Sequence, residues 1–182
     1  MVALNTANFL TVLRILLVPV LVVALLEESR NGDLFAAAVF AIASITDAVD
    51  GYIARSRDAV TTFGKLMDPL ADKLLIVAAL IALVSLDRLA AWVAMVIIVR
   101  ELAVTVLRLA ASQQGVVVAA NWWGKAKTIV QVIAVLALIS TEGSPLWLDL
   151  TVYGAVAITV LSGADFVFGL RRRLARLDRE PA

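Results

Sequence analysis

Two polar stretches decide how this chain is interpreted: TDAVDGYIAR, residues 46–55, and GKLMDPLADK, residues 64–73. The first ends one long apolar stretch and the second opens the next, so both lie at the same end of two neighbouring segments. Each contains two aspartates at helical spacing, which are Asp47 and Asp50 in the first and Asp68 and Asp72 in the second. Residues three or four apart share one face of a helix. The short connection therefore predicts that the two pairs face each other.

Four carboxylates this close cannot all ionise unaided, because like charges raise the pKa of each group. A divalent cation resolves the repulsion, and oxygen ligands suit Mg²⁺ or Mn²⁺ while leaving positions for phosphate oxygens. Two ions could bridge a pyrophosphate. The chain has no His and no Cys, so a general base must be a carboxylate, a Lys or a water. On spacing alone, any of the four aspartates could serve.

The composition indicates a membrane protein. Of the 182 residues, 62% are hydrophobic, against about 45–50% in soluble domains. Since a spanning helix needs about 20 mostly apolar residues, we predict an all-α polytopic protein with six transmembrane helices in a single domain, residues 1–182. The apolar stretches lie at about 9–26, 34–54, 66–86, 89–111, 122–140 and 147–170. Pro69 fits best in the first turn of the third helix.

The charges predict an orientation. Arg30 and Arg88 fall in or beside the first and third connections, and the other 14 of the 16 basic residues lie towards the opposite side. Basic loops stay in the cytoplasm, so we expect cytoplasmic termini, a basic cytoplasmic tail at 171–182, and the aspartates at the cytoplasmic face of the cell membrane. Because Arg14 lies inside the first apolar stretch, we expect this stretch to be retained in the protein rather than cleaved as a signal peptide. A net charge of +1 argues against nucleic-acid binding.

The full spacing resembles the motif of the CDP-alcohol phosphotransferases at every fixed position: Asp47-x2-Asp50-Gly51-x2-Ala54-Arg55-x8-Gly64-x3-Asp68-x3-Asp72. This resemblance implies a homodimer in the plasma (inner) membrane of a bacterium, with a polar cavity open to the cytoplasm. It implies two divalent cations, Mg²⁺ or Mn²⁺, on the four aspartates, with Asp72 also the base. The residues it implies for CDP-diacylglycerol are Asn8, Asp50, Gly51, Ala54, Arg55, Thr61 and Gly64.

Within the family, the chain is similar to the phosphatidylglycerophosphate synthases at four segments: NFLTVLR (8–14), DPLADK (68–73), RELAVTVLR (100–108) and WGKAKTIVQ (123–131). This similarity implies glycerol 3-phosphate as the acceptor, with phosphatidylglycerol phosphate and CMP as products in phospholipid biosynthesis. The acceptor's phosphate needs cations. Those predicted for it are Arg100, Arg108, Lys125 and Lys127, and further site residues are Thr11, Arg14 and Thr128.

Several alternatives remain open from the sequence. Cardiolipin synthases of the same fold share many of these segments and use phosphatidylglycerol as acceptor, and phosphatidylinositol-phosphate synthases form a third subfamily. Outside the family, membrane prenyltransferases bind pyrophosphates through Asp-rich helices, but their motifs lie far apart in sequence. A transporter or structural membrane protein would not need four Asp, a Gly and an Arg at one membrane face. Gln131 fits either a helix contact or a site residue.

Overall fold

The computed structural model describes the backbone of residues 6–54, 62–113 and 122–177, and the side chains of 12–46, 73–113 and 122–173. These residues form six α-helices, and no strand occurs among them. The all-α prediction is therefore confirmed for the described part of the chain. The helices are α1 (Thr6–Leu26), α2 (Arg30–Ala54), α3 (Thr62–Ser85), α4 (Ala91–Gln113), α5 (Trp122–Ser140) and α6 (Leu146–Leu177).

Four of the six helices, α1, α2, α3 and α6, are longer than the apolar stretches that predicted them, whereas α4 and α5 have the predicted lengths. α2 begins at Arg30 and α3 at Thr62, because each includes a polar first turn that an apolar count leaves out. Pro69 is therefore the eighth residue of α3, and its placement in the first turn was wrong. α6 runs through the basic sequence after Leu170 as far as Leu177. The predicted tail thus begins as part of a helix.

Two helices of the described part are long and apolar enough to cross a membrane: Trp122–Ser140 and Leu146–Arg173. Val12–Leu26 and Lys73–Ser85 are shorter apolar helices. α4 has 23 residues, or about 34 Å at 1.5 Å per residue. Its mean hydropathy is lowered by three charged residues, Arg100, Glu101 and Arg108.

The described residues divide into two compact units. The first contains α1, α2 and α3 with the last residues of α5, Val135–Ser140. α1 packs against both α2 and α3. The fully buried side chains there include Leu21, Leu25, Phe40, Leu80, Leu83 and Ile139. At one end, Arg88 donates to the Asp33 carboxylate at 2.7 Å and to the Ile139 carbonyl at 3.5 Å.

The second unit contains α4, α6 and the first part of α5, as far as Ala134. In it, α4 packs against α6. α4 has two distinct faces. The buried face carries Val93, Ile97, Glu101, Val104 and Ala111. The opposite face exposes large apolar side chains at alternating spacings of three and four: Trp92, Met95, Val99, Leu102 and Val106. The charged Glu101 therefore lies on the buried face among apolar residues, and the opposite face is an apolar surface.

Candidate functional site

The described backbone of the aspartate motif, up to Ala54 and from Thr62, is helical, as the spacing within each pair of aspartates requires. Asp47 and Asp50 lie near the end of α2, and Asp68 and Asp72 lie in α3. Each pair therefore occupies one helix face. The donor set is all carboxylate, which fits Mg²⁺ or Mn²⁺. Side chains 47–72 lie outside the described residues, so the metal ligands and the role of Asp72 stay predictions.

The residues predicted for CDP-diacylglycerol lie in the same region of the sequence, except for Asn8. Gly51 and Ala54 belong to α2, Gly64 to α3, and Asn8 to α1. Arg55 and Thr61 lie outside the described residues. Where side chains are described, no group of three or more Asp, Glu, His or Cys could hold a metal ion.

The first helix contributes two further predicted residues. Thr11 is helical, and its side chain is outside the described set. Arg14 has its side chain described, and the residue is only 5% exposed. A buried arginine in an apolar helix is energetically costly unless it is paired, and Arg14 does have an interaction partner.

Two of the predicted acceptor cations meet at one buried carboxylate. Lys127 Nζ lies 2.5 Å from Glu101 Oε1, and Arg100 Nη1 donates to the same oxygen at 3.0 Å. The side chains of Glu101 and Lys127 are only 2% and 4% exposed. Burying such charges is expensive unless they are paired and hydrogen-bonded. The pairing therefore explains how α4 and α5 carry charges inside the second unit.

Polar residues of α5 and α6 extend this arrangement. Gln131 Nε2 donates to Glu101 Oε1 at 3.3 Å and to Thr159 Oγ1 at 3.0 Å. Arg100 Nη2 donates to Ser162 Oγ at 2.6 Å, and that hydroxyl donates to the Thr159 carbonyl. We call this set the Glu101 cluster; it comprises Arg100, Glu101, Lys127, Gln131, Thr159 and Ser162. Gln131 is thus a hydrogen-bonding contact between helices.

The other two predicted acceptor cations are exposed. The Arg108 guanidinium carbon lies 5.4 Å from the centre of the Phe166 ring. Phe166 is itself buried with Val104, Ala111 and Leu170, so the ring is a fixed support for the cation. Lys125 is exposed near the start of α5. Thr128 is also exposed, and its hydroxyl donates to the Gly124 carbonyl at 3.1 Å.

The structure therefore divides the predicted acceptor residues into two kinds. Arg108 and Lys125 present their charges outward, whereas Arg100 and Lys127 are paired inside the Glu101 cluster. Both kinds lie in the second unit. Arg100 still has N–H groups that no described acceptor uses, since its buried Nε has no hydrogen-bond partner there.

Sequence reasoning missed the contribution of α6. Thr159 and Ser162 complete the Glu101 cluster, and Gly163 lies against the Arg100 side chain. A signal was present, because polar and small residues within an apolar stretch mark helix contacts and functional interiors. Spacing within α6 also places Thr159, Ser162 and Phe166 on one face.

Comparison with known proteins shows extended similarity. Residues 4–161 match the family described as CDP-alcohol phosphatidyltransferase. A CDP-diacylglycerol–glycerol-3-phosphate 3-phosphatidyltransferase of Bacillus subtilis (strain 168) is 46% identical over 180 residues, covering 89% of this chain and 93% of that protein. The enzyme of the same name from Rickettsia felis is 36% identical over 168 residues, covering 89% and 93%. The similarity thus extends far beyond the aspartate motif.

A third relative carries a different form of the name. A Mycobacterium tuberculosis protein named "Probable phosphatidylglycerophosphate synthase" is 45% identical over 168 residues, covering 90% of this chain and 80% of that protein. The matched family region spans residues from both compact units. The resemblance drawn from the motif agrees with all of these matches.

Proposed function

The chain belongs to the CDP-alcohol phosphatidyltransferase family, and on this premise we propose that it transfers the phosphatidyl group of CDP-diacylglycerol to glycerol 3-phosphate. The products are phosphatidylglycerol phosphate and CMP, in phosphatidylglycerol biosynthesis. The supporting observation is 46% identity, over most of both chains, to a relative whose name states this donor and acceptor. The complete aspartate motif in two helices supports the same reaction.

The proposed step is a displacement at phosphorus. The sn-1 hydroxyl oxygen of glycerol 3-phosphate bonds to the β-phosphorus of CDP-diacylglycerol, and the bond from that phosphorus to the oxygen bridging to CMP breaks. The bond's electron pair leaves with CMP, and Asp72 takes the hydroxyl proton. Two divalent cations bound by Asp47, Asp50, Asp68 and Asp72 would supply charge stabilisation at the pyrophosphate. Gly51 and Arg55 are assigned to the donor nucleotide and phosphate.

The acceptor's phosphate is assigned to the cations of α4 and α5. Arg108 and Lys125 are exposed and open to direct contact. Phe166 limits the freedom of the Arg108 guanidinium, so less conformational entropy is lost on binding. Arg100 and Lys127 add positive charge from the Glu101 cluster. A phosphate dianion would therefore meet a group of cations, whereas a neutral alcohol would gain little from them.

We also propose that all six helices span the bilayer, with both termini and the aspartate motif at the cytoplasmic side. Large apolar side chains are exposed on every helix, including Leu16, Phe35, Ile81, Val99, Ile133 and Leu161. Exposed apolar surface on this scale is costly in water. On α4 Glu101 is buried and the Arg100 side chain is only 13% exposed, while the exposed Arg108 lies within the last two turns of the helix, so these three charges do not prevent α4 from lying in lipid. The expected homodimer belongs to the same proposal.

An acceptor panel tests this function. The purified protein is given CDP-diacylglycerol, Mg²⁺ or Mn²⁺, and one acceptor at a time, and CMP is measured. We expect CMP release with glycerol 3-phosphate. Release with phosphatidylglycerol alone would instead identify a cardiolipin synthase, and release with inositol phosphate alone the third subfamily. No CMP with any alcohol would refute the enzymatic proposal.

A further inference from the structure

α6 holds the Arg100 side chain through two neighbouring residues. The Ser162 hydroxyl accepts a hydrogen bond from Arg100 Nη2 at 2.6 Å. A Cβ added at Gly163 would lie 3.2 Å from Arg100 Cγ, which is tighter than most real contacts, and 3.4 Å from Nε. The absence of a side chain at Gly163 therefore lets the arginine stem lie directly against α6. On the other side, Glu101 accepts from Nη1 at 3.0 Å.

Contacts with Ser162, Gly163 and Glu101 orient the Arg100 guanidinium, but they do not use all of its N–H donors. A guanidinium has five N–H donors, and the described acceptors are Glu101 and Ser162. Nε is buried and has no partner among the described residues. The side chain is 13% exposed, so it is not sealed completely. A planar fork with donors to spare suits an anion that has several oxygens.

We propose that Ser162 and Gly163 are positioning residues of the acceptor site, which fix Arg100 so that its remaining donors bind a phosphomonoester. The inference rests on the proposed use of glycerol 3-phosphate. It adds α6 to a site that the motifs placed on α4 and α5. Glu101 also positions these cations, because Arg100 and Lys127 both pair with the same oxygen of its carboxylate.

Gly163→Ala is the first test, with Gly154→Ala and Gly169→Ala as matched controls. All three glycines lie in α6, but a Cβ at Gly154 or Gly169 would meet nothing within 4 Å. Alanine is favoured over glycine in helices, so the controls should fold and turn over as the wild type does. At Gly163 the added methyl requires the Arg100 stem to shift by a few tenths of an ångström, and we expect this shift to move the guanidinium off its anion. We expect the KM for glycerol 3-phosphate to rise about tenfold, as for a weakened charged hydrogen bond, with the KM for CDP-diacylglycerol unchanged.

Ser162 provides an independent pair of variants. Ser162→Ala removes the acceptor of the Arg100 hydrogen bond, whereas Ser162→Thr keeps a hydroxyl. We expect the alanine variant to raise the KM for glycerol 3-phosphate selectively and the threonine variant to restore it. A purely structural role would lower the thermal unfolding temperature and activity without separating the two KM values.

The outcomes separate this inference from the function on which it rests. Wild-type protein that releases no CMP with glycerol 3-phosphate overturns the proposed function, and the inference with it. The inference alone is overturned if the wild type is active but the variants show no selective effect. In that case Gly163→Ala has the same KM values as Gly154→Ala, and Ser162→Ala has those of the wild type. Equal rises in both KM values also overturn it.

Discussion

Asp72 carries two proposed roles, metal ligand and general base. Asp72→Asn removes both, because an amide does not take up the hydroxyl proton and is a weaker ligand than a carboxylate. A positioned base contributes about 10²- to 10⁴-fold to a rate, so we expect CMP release to fall by at least about 10²-fold. Mn²⁺ titration of the same variant should show weakened binding.

The matched control is Asp149→Asn. Asp149 is exposed in the first turn of α6, away from the motif in sequence, and should tolerate the change with wild-type turnover. Wild-type turnover by Asp72→Asn would remove Asp72 from both roles. Lost turnover with wild-type Mn²⁺ affinity would restrict Asp72 to the role of base.

Arg108 is the exposed cation best supported by its surroundings. Arg108→Ala should raise the KM for glycerol 3-phosphate by about tenfold, the effect of one charged hydrogen bond, and leave the KM for CDP-diacylglycerol near its original value. Steady-state kinetics with each substrate varied in turn measure both constants. Arg30→Ala, at the exposed start of α2, serves as a control for loss of a surface charge. Equal effects on both substrates would contradict a dedicated phosphate site at Arg108.

Spacing and resemblance predict the four aspartates and the four acceptor cations as site residues, but they do not predict the surroundings of these side chains. Spacing within one helix could not show that Arg100 and Lys127 share the Glu101 carboxylate, because that contact joins α4 to α5. It also could not place Ser162 beside Arg100, since these residues are 62 positions apart.

At the scale of the element, α4 tests the membrane proposal most sharply. Val99 lies at the middle of its outward apolar face and is 60% exposed. Val99→Asp would place a charge against lipid and cost about 3 kcal/mol of insertion free energy near a helix centre. We expect less protein in the membrane fraction and a lower unfolding temperature in detergent.

Val99→Leu is the control for this change, because it alters volume while the face stays apolar. It should insert and unfold as the wild type does. If Val99→Asp inserted equally well and were as stable, the outward face of α4 would not be a lipid contact. The six-span proposal would then lose its support from this helix.

Element boundaries show where sequence patterns are insufficient. Apolar counts located the six described helices, because their exposed and buried residues are both largely hydrophobic. They missed the polar first turns that begin at Arg30 and Thr62, and with them the true position of Pro69. They also ended α6 near residue 170, whereas the helix continues through Arg171–Arg173 to Leu177. Helix ends at a membrane surface are polar, so hydropathy alone does not detect them.

At the scale of the whole molecule, the orientation of the chain is open to a direct test. The chain has no cysteine, so a single introduced thiol is the only one that can be labelled. Ser144, in the connection before α6, and Ser112, near the end of α4, are both exposed. We expect Ser144→Cys to react with an impermeant maleimide in intact cells. Ser112→Cys should react only after the membrane is permeabilised.

The two thiols control for each other, since both are exposed and differ in the side of the membrane to which they are assigned. Labelling of Ser112→Cys alone in intact cells would reverse the orientation. Labelling of both would contradict an odd number of membrane crossings between them, and so the placement of α5 as a single span. Composition and the positions of the basic residues predict this topology, because basic loops stay in the cytoplasm.

The central claim is the reaction itself, and one measurement tests it most directly. Purified wild-type protein receives CDP-diacylglycerol, a divalent cation and radiolabelled glycerol 3-phosphate, and both products are quantified. The proposed function predicts CMP and radiolabelled phosphatidylglycerol phosphate in equal amounts, with both formed at least about 10²-fold more slowly by Asp72→Asn. CMP without label in the lipid, or no CMP at all, would contradict it.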